Sequence, residues 1–234
     1  MAELQNVNVP PPNHVKVLGG QGWIGLVDHM GTETSVVNAA RVSFGKMRSE
    51  MDEKDVKLLK FLLNHQHTTP LEHVCFSFIV HCPLFVRSQW HRHRTWSYNE
   101  ISRRYTEVDL EFYVPPEIHA QADNDRQASA PAPADMDQEA CKKAIDAANQ
   151  ASLVAYHKLL EAGVCREQAR GVLSQNLMTT FWATVDLGNL LKFLALRDSE
   201  HAQWEIRQYA QAIKQLIRPF IPNLAQFQGW DAEA

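Results

Sequence analysis

The sequence lacks the features that would place this protein in a membrane or on a nucleic-acid duplex. No apolar run reaches the roughly 20 residues that a membrane-spanning helix needs. The net charge of -4 and the pI near 6.2 argue against the positive surface that phosphate backbones attract. The four cysteines show no metal-type spacing, and residues 1–4 carry no basic and apolar signal segment. We therefore expect reduced thiols and a cytoplasmic protein with neither membrane nor nucleic acid as partner.

A glycine-rich phosphate loop is also missing, because Gly19-Gly20 does not complete a GxGxxG pattern, and a Rossmann fold is therefore not predicted. What is present is the composition of a globular protein, with 45% hydrophobic and 21% charged residues in a chain of 234. Pro10-Pro11-Pro12 predicts an extended arm over residues 1–14. A single domain is expected over residues 15–234, with an exposed loop at 118–136 that is rich in Ala, Asp, Gln and Pro.

Hydrophobic periodicity predicts an α+β fold. Strands are expected at 15–18, 23–27, 74–82, 108–114 and 177–185, where β-prone runs or period-2 alternation occur. Helices are expected at 35–44, 54–64, 83–91, 141–162, 166–172, 187–194 and 199–217. Ser35, Asp186 and Ser199 are candidate helix caps, and Thr69 and Glu72 have capping-box spacing.

The residues from Arg92 to Tyr105 break this periodicity. Four arginines, three aromatics, two serines and one carboxylate occur within fourteen residues, so no simple apolar face can be drawn through them. Arginine stays charged at ordinary pH, and several arginines close together repel one another unless an anion lies between them. The stretch therefore predicts an anion-binding site.

Three kinds of ligand compete for this region. Six of the eleven histidines lie between His65 and His93, which could indicate a metal, but carboxylates are scarce and the neighbouring arginines disfavour a cation. Aromatics interleaved with arginines could form a stacking platform for single-stranded nucleic acid, although the net acidity disfavours it. A phosphate-bearing small molecule, bound by arginine forks, explains the mixture best. No metal is predicted.

The motif Arg92-His93-Arg94, seven residues and then Ser102 resembles the signature of flavin-dependent thymidylate synthases. The neighbouring Gln89-Trp90, Tyr98-Asn99-Glu100 and Arg104-Tyr105 agree with it. Further segments are similar to that family in the same order along most of the chain, at 35–43, 67–73, 181–182, 196–197 and 201–205.

This resemblance implies an enzyme that methylates dUMP to dTMP with 5,10-methylenetetrahydrofolate as carbon donor. FAD would take a hydride from NADPH and pass it to the pyrimidine. The implied fold is α+β, a mixed β-sheet flanked by helices. The implied assembly is a homotetramer whose sites are shared between subunits.

The resemblance also implies which residues bind each ligand. The residues expected at dUMP are Gln89, Arg92, Glu100, Ser102, Arg104, Arg170 and Arg197. Those expected at FAD are His67, Thr69, Arg92, His93, Arg94, Glu100, the segment from Asp186 to Gly188, and Lys192. Gly188 and Lys192 depart from the residues common at their positions in that family, namely a larger polar residue and histidine or asparagine.

Two residues are expected to be catalytic, Arg197 and Ser102. Arg197 would stabilise ionisation at N3 of the pyrimidine, a charge effect of the oxyanion-hole type that needs no cysteine nucleophile. Ser102 is expected to contact the ligand; a nucleophilic role stays open, since no base for it can be identified from the sequence. A regulatory nucleotide- or RNA-binding protein without redox chemistry is the alternative.

Overall fold

The computed structural model describes residues 6–106, 110–122 and 129–230. The strands are β1 His14–Val17, β2 Gly22–Met30, β3 Cys75–Pro83, β4 Ser97–Glu100, β5 Ala120–Gln121, β6 Ser129–Ala130 and β7 Met178–Asp186. The α-helices are α1 Glu33–Arg41, α2 Glu53–Asn64, α3 Leu84–Trp90, α4 Gln138–Glu161, α5 Arg166–Ala169, α6 Leu187–Arg197, α7 Trp204–Ile217 and α8 Pro222–Phe227. Short 3₁₀ turns occupy Leu18–Gly20, Val42–Phe44, Thr69–His73, Arg170–Val172 and Arg218–Phe220.

The main sheet has the order β1-β2-β3-β7-β4, and each of these neighbouring pairs is antiparallel. The expectation of a mixed sheet is therefore wrong for the described residues, whereas the α+β class with flanking helices is confirmed. Helices join β2 to β3 and β4 to β7, yet each connection returns the chain in the opposite direction. Strand direction depends on these tertiary connections and leaves no mark on the period-2 pattern.

The centre of the sheet is built from the alternating pattern of β3 and β7. Phe76 and Phe78 in β3 and Phe181 in β7 are buried, as the period-2 pattern predicts. Trp90, at the end of α3, is fully buried, and its ring centroid lies 5.5 Å from that of Phe181 and 4.9 Å from that of Phe193 in α6. This packing places the C-terminal ends of α3 and α6 side by side over the sheet.

Several predicted elements are confirmed, including the first two strands, the helix α2, and Asp186 as the cap of α6. Asp52 is the N-cap of α2. The caps at Ser35 and Ser199 are wrong. Thr32 caps α1 with Ser35 in the third helical position, and α7 begins after Gln203. Local capping patterns repeat in a sequence, and packing selects among them.

One further expectation needs correction. Of the predicted strand at 108–114, residues 108 and 109 lie outside the described ranges, and 110–114 form one isolated bridge, Phe112 to Leu177. The described part of the expected loop at 118–136 contains the β5–β6 pair, and the side-chain amide of Gln138 binds both main-chain groups of Ile118. Within the described residues, no helix is long and apolar enough to cross a lipid bilayer.

Candidate functional site

The first cluster of predicted site residues forms where α3 and α6 end. Arg197, the last residue of α6, donates from Nε to Nε2 of His93 at 3.0 Å and from Nη2 to the main-chain oxygen of Gln89 at 3.3 Å. Burial and the charge of Arg92 lower the pKa of Arg197. We call Gln89, Arg92, His93 and Arg197 the α3–α6 cluster. Its half-buried guanidinium is fixed by two acceptors before any ligand binds.

His93 is held neutral in this cluster. Burial and then the charge of Arg197 lower its pKa to about 4. Its Nε2 accepts from Arg197, so the proton of the neutral ring must lie on Nδ1. The ring also packs edge-on against Phe193, with centroids 4.8 Å apart. His93 therefore positions Arg197 without adding a second charge.

We expect the His93→Gln variant to lose less stability on acidification than the wild type. The pKa of His93 falls from an ordinary value of 6.5 in the unfolded chain to about 4 in the folded one. Between these values the unfolded chain binds a proton that the folded chain does not, so this residue lowers stability as the pH falls. Glutamine can still accept from Arg197 but does not titrate. Thermal unfolding of both proteins at about pH 7 and pH 5 measures the difference; equal losses would contradict it.

The second cluster surrounds a cavity of about 460 Å³ near the start of β7. Its polar lining residues are Arg87, Glu100, Arg103, Arg170, Gln175 and Thr179. Glu100 accepts from the Thr179 hydroxyl at 2.7 Å and lies 3.4 Å from Nε of Arg87. Three arginines against one carboxylate leave this cavity with excess positive charge, which suits a phosphate. We call this set the β4–β7 cluster.

Ser102 and Arg104 lie in the turn that follows β4, beside this cluster. Ser102 Oγ accepts from the main-chain N–H of Arg104 at 3.3 Å. Arg104 Nη2 lies 3.7 Å from a carboxylate oxygen of Glu167, and the Glu167 carbonyl accepts from Nε of Arg170 at 3.4 Å. Glu167 thus connects Arg104 with Arg170. The contact of Ser102 is a local turn contact and supplies no base, so its expected ligand role stays a prediction.

The third set of predicted residues lies at the opposite end of the sheet. His67 and Thr69 line a cavity of about 650 Å³ whose walls include Phe44, Phe61 and Leu62. The start of α6 adjoins it. Gly188 packs against the Thr69–His73 turn so closely that a Cβ would lie 3.2 Å from Asp186 Oδ1, 3.5 Å from Leu71 Cβ and 3.8 Å from the Thr68 carbonyl. A Cβ at position 188 would be in ordinary contact with Leu71 and Thr68, and only the Asp186 carboxylate would have to shift slightly.

The remaining predicted residues are more exposed. Lys192 donates to Asn189 Oδ1 at 3.3 Å and so lies beside the Asp186 cap. Arg92 and Arg94 are exposed at the rim of the α3–α6 cluster. Among residues 6–106, 110–122 and 129–230, no group of three or more His, Cys, Asp or Glu side chains could hold a metal ion.

One chain does not bring all predicted residues together. Thr179 and Asp186 lie near opposite ends of β7, which pairs with β3 from Pro83 to Cys75. A nine-residue strand spans about 25 Å. The β4–β7 cluster and the cavity at His67 are therefore separate places in this chain.

Sequence reasoning missed three residues that belong to this arrangement. Arg87 lines the β4–β7 cavity, and Gln203 and Glu205 continue the hydrogen bonds of Gln89. No local sequence pattern marks Arg87 as a site residue, because it is one of several polar residues on α3. Gln203 and Glu205 lie within a segment that resembles the family, but the contact between Gln203 and Gln89 joins residues 114 positions apart.

Known proteins resemble this chain over most of its length. The family model described as thymidylate synthase complementing protein matches residues 25–223. A flavin-dependent thymidylate synthase of Thermus thermophilus is 46% identical over 202 residues, which cover 86% of this chain and 73% of that protein. One from Thermosipho africanus is 42% identical over 202 residues, covering 86% of this chain and 88% of that protein.

Solved structures agree with these sequence relatives. A UMP/dUMP methylase, PolB from Streptomyces cacaoi, bound with 5-Br dUMP, superposes with a TM-score of 0.79 at 28% identity, covering 93% of this chain and 95% of that one. The same methylase bound with 5-Br UMP gives a TM-score of 0.77 at 28% identity, covering 94% and 96%. The resemblance of the Arg-His-Arg motif is thereby confirmed across the chain, and the protein is an enzyme that belongs to the flavin-dependent thymidylate synthase family.

Proposed function

We propose that this enzyme methylates dUMP reductively to dTMP, with 5,10-methylenetetrahydrofolate as carbon donor and NADPH as reductant through FAD. The observation that carries the proposal is the Arg197 guanidinium, half-buried and fixed by His93 and the Gln89 carbonyl. A rigid charge of this kind is what a pyrimidine needs if negative charge is to develop on its ring. The relatives' names and the nucleotides bound to PolB support the same ligand class.

Two half-sites would bind the nucleotide. The α3–α6 cluster offers Arg197, Arg92 and Gln89 to the base and sugar. The β4–β7 cluster offers Arg170 to the phosphate, together with Arg104 and Ser102 from the adjacent turn. A nucleotide monophosphate carries a dianion that suits arginine forks. Arg87 and Gln89 lie two positions apart on α3 and so face different sides of the helix. We propose that one subunit supplies the first cluster and its neighbour supplies the second, within a homotetramer.

The cavity at His67 and Thr69 fits a flavin. Its volume of about 650 Å³ and its mixed lining of aromatic, aliphatic, histidine and threonine side chains are typical of a cofactor pocket. His67, Thr69, Asp186, Gly188 and Lys192 would hold FAD there, and His93, Arg94 and Glu100 would reach it across a subunit boundary. Bound FAD would supply hydride transfer from NADPH.

Arg197 would activate the pyrimidine by charge. Its guanidinium would stabilise negative charge at N3 and so increase electron density at C5 of the ring. Neither cysteine of β3 is suited to act as a nucleophile. Cys82 is fully buried, and burial raises the pKa of its thiol; burial and then the charge of Asp186 also raise the pKa of Cys75. Neither thiol is poised to form the thiolate that attack on a ring requires.

Purified protein supplied with FAD tests the proposal directly. We expect a flavin absorbance band that bleaches with NADPH and recovers on addition of dUMP and 5,10-methylenetetrahydrofolate, with dTMP formed in proportion. UMP in place of dUMP is the matched comparison, because the two differ by one hydroxyl. A protein that binds FAD but forms no dTMP would refute the reaction. A protein that binds dUMP but never FAD would favour the regulatory alternative.

A further inference from the structure

Four side chains form a line of hydrogen bonds that begins at Gln89 in the α3–α6 cluster. Gln89 Nε2 donates to Gln203 Oε1, and Gln203 Nε2 donates to Glu205 Oε2 at 2.8 Å. The Tyr113 hydroxyl donates to the other carboxylate oxygen of Glu205 at 3.5 Å. We propose that Gln203 and Glu205 are positioning residues that hold the Gln89 side-chain amide with its oxygen toward the nucleotide. This inference rests on the proposed function, since it concerns how dUMP is bound.

The Glu205 carboxylate determines which group of each glutamine amide donates a hydrogen bond and which accepts one. An ionised carboxylate can only accept hydrogen bonds, so Gln203 must turn its NH₂ group toward Glu205. The oxygen of Gln203 then faces Gln89 and can only accept, which requires the NH₂ group of Gln89. The oxygen and nitrogen of an amide have nearly the same shape, so packing alone would not distinguish the two orientations of either glutamine.

These donor and acceptor roles leave the side-chain oxygen of Gln89 at the end of the line. Gln89 Oε1 is buried and has no hydrogen-bond partner within the described ranges, although buried acceptors are nearly always paired. The Gln89 main chain is itself held by Arg197, whose Nη2 donates to its carbonyl at 3.3 Å. An unpaired acceptor beside a fixed cation suits a ligand that presents an N–H or O–H donor, and a pyrimidine nucleotide has both at its base and sugar.

Glu205→Gln tests the line without changing its shape. A glutamine at position 205 can donate or accept, so the orientation of Gln203 and Gln89 is no longer set. We expect the Kd for dUMP, measured by calorimetry on the FAD-loaded protein, and the KM for dUMP to rise roughly tenfold, while kcat changes less than about threefold. Gln203→Leu, which interrupts the line at its middle, should give the same loss. Thermal unfolding checks that both variants fold.

Exchanging the two groups provides a rescue. In the double variant Gln203→Glu with Glu205→Gln, the carboxylate lies next to Gln89 and still accepts from its NH₂ group, while the glutamine at position 205 donates to the carboxylate and accepts from Tyr113. The orientation of the Gln89 side-chain amide is therefore restored. The double variant has the same charge as the wild type and nearly the same side-chain volume. We expect dUMP affinity to recover to within about threefold of the wild type. A merely structural role of Glu205 would not produce this recovery.

The outcomes separate this inference from the proposed function. Wild-type protein that does not bind dUMP would overturn the proposed function and the positioning role together. Wild-type protein that binds dUMP, with Glu205→Gln binding equally well, would overturn the positioning role alone. A double exchange no better than Glu205→Gln would do the same. In a Gln89→Leu background, Glu205→Gln should have no further effect on dUMP affinity.

Discussion

Replacing Arg197 by alanine is expected to lower the rate of dTMP formation by roughly a hundredfold or more, the effect of removing one preorganised charge from an active site. FAD binding should persist, because the cavity at His67 and Thr69 lies elsewhere in the chain. The variant should also release His93 and the Gln89 carbonyl from their contacts. Single-turnover kinetics with preloaded FAD measures the chemical step apart from product release.

Two comparison variants test whether the loss is specific to the charge and shape of Arg197. Arg197→Lys keeps the charge but loses the planar fork that reaches both acceptors, so an intermediate loss is expected. Arg48→Ala removes an arginine whose carboxylate partners are Asp52 and Asp55, on the α2 side of the protein, and should leave turnover unchanged. Near-normal dTMP formation by Arg197→Ala would exclude pyrimidine activation by this residue.

Mixing two inactive variants is expected to restore activity if sites are shared between subunits. Arg197→Ala destroys the α3–α6 cluster, and Arg170→Ala weakens the β4–β7 cluster, so each variant alone should have little activity. In mixed oligomers some sites combine an intact first cluster from one subunit with an intact second cluster from its neighbour. Random mixing should return about a quarter of the wild-type activity for a site built by two symmetry-related subunits.

The control for this mixing experiment uses two variants of the same cluster. Arg197→Ala mixed with Gln89→Leu cannot form an intact α3–α6 cluster in any combination, so no recovery is expected. Co-expression with two different affinity tags isolates the mixed oligomers, and dTMP formation is then measured on them. If mixed oligomers of Arg197→Ala and Arg170→Ala also recover no dTMP formation, each site lies within one subunit.

Part of the fold could be predicted because its signals are local. The alternation in β3 and β7 and the apolar stripe of α2 reflect burial of one face, which a period of 2 or 3.6 residues records directly. The buried face of α4 differs from the one that its sequence predicts. The predicted stripe is Cys141, Ala144, Ile145, Ala148, Ser152, Ala155 and Leu159. Ala144 and Ala148 are exposed, however, and Asn149 and Tyr156 are the buried residues. Alanine is compatible with either face of a helix, so it marks the buried one poorly.

The sequence predicted which kind of ligand the candidate site would bind, but it did not predict how the site residues are arranged. The crowding of arginines between Arg92 and Tyr105 indicated an anion, because like charges gathered in a short segment need a counter-charge. The same spacing could not tell that Arg92 lies near Arg197 while Glu100 lies with Arg87 and Arg170. The turn and β4 that separate them direct neighbouring residues of one motif to different clusters.

The sequence by itself determined the family, and from it the ligand class and the site arginines are predicted, since these depend on residue types and on a motif read along the chain. Only the tertiary structure decided that the sheet is antiparallel, that His93 is neutral, and that the amide of Gln89 is directed by Gln203 and Glu205. Burial and hydrogen bonds between residues about a hundred positions apart produce these properties. Such contacts exist only after the chain has folded, so local periodicity carries no trace of them.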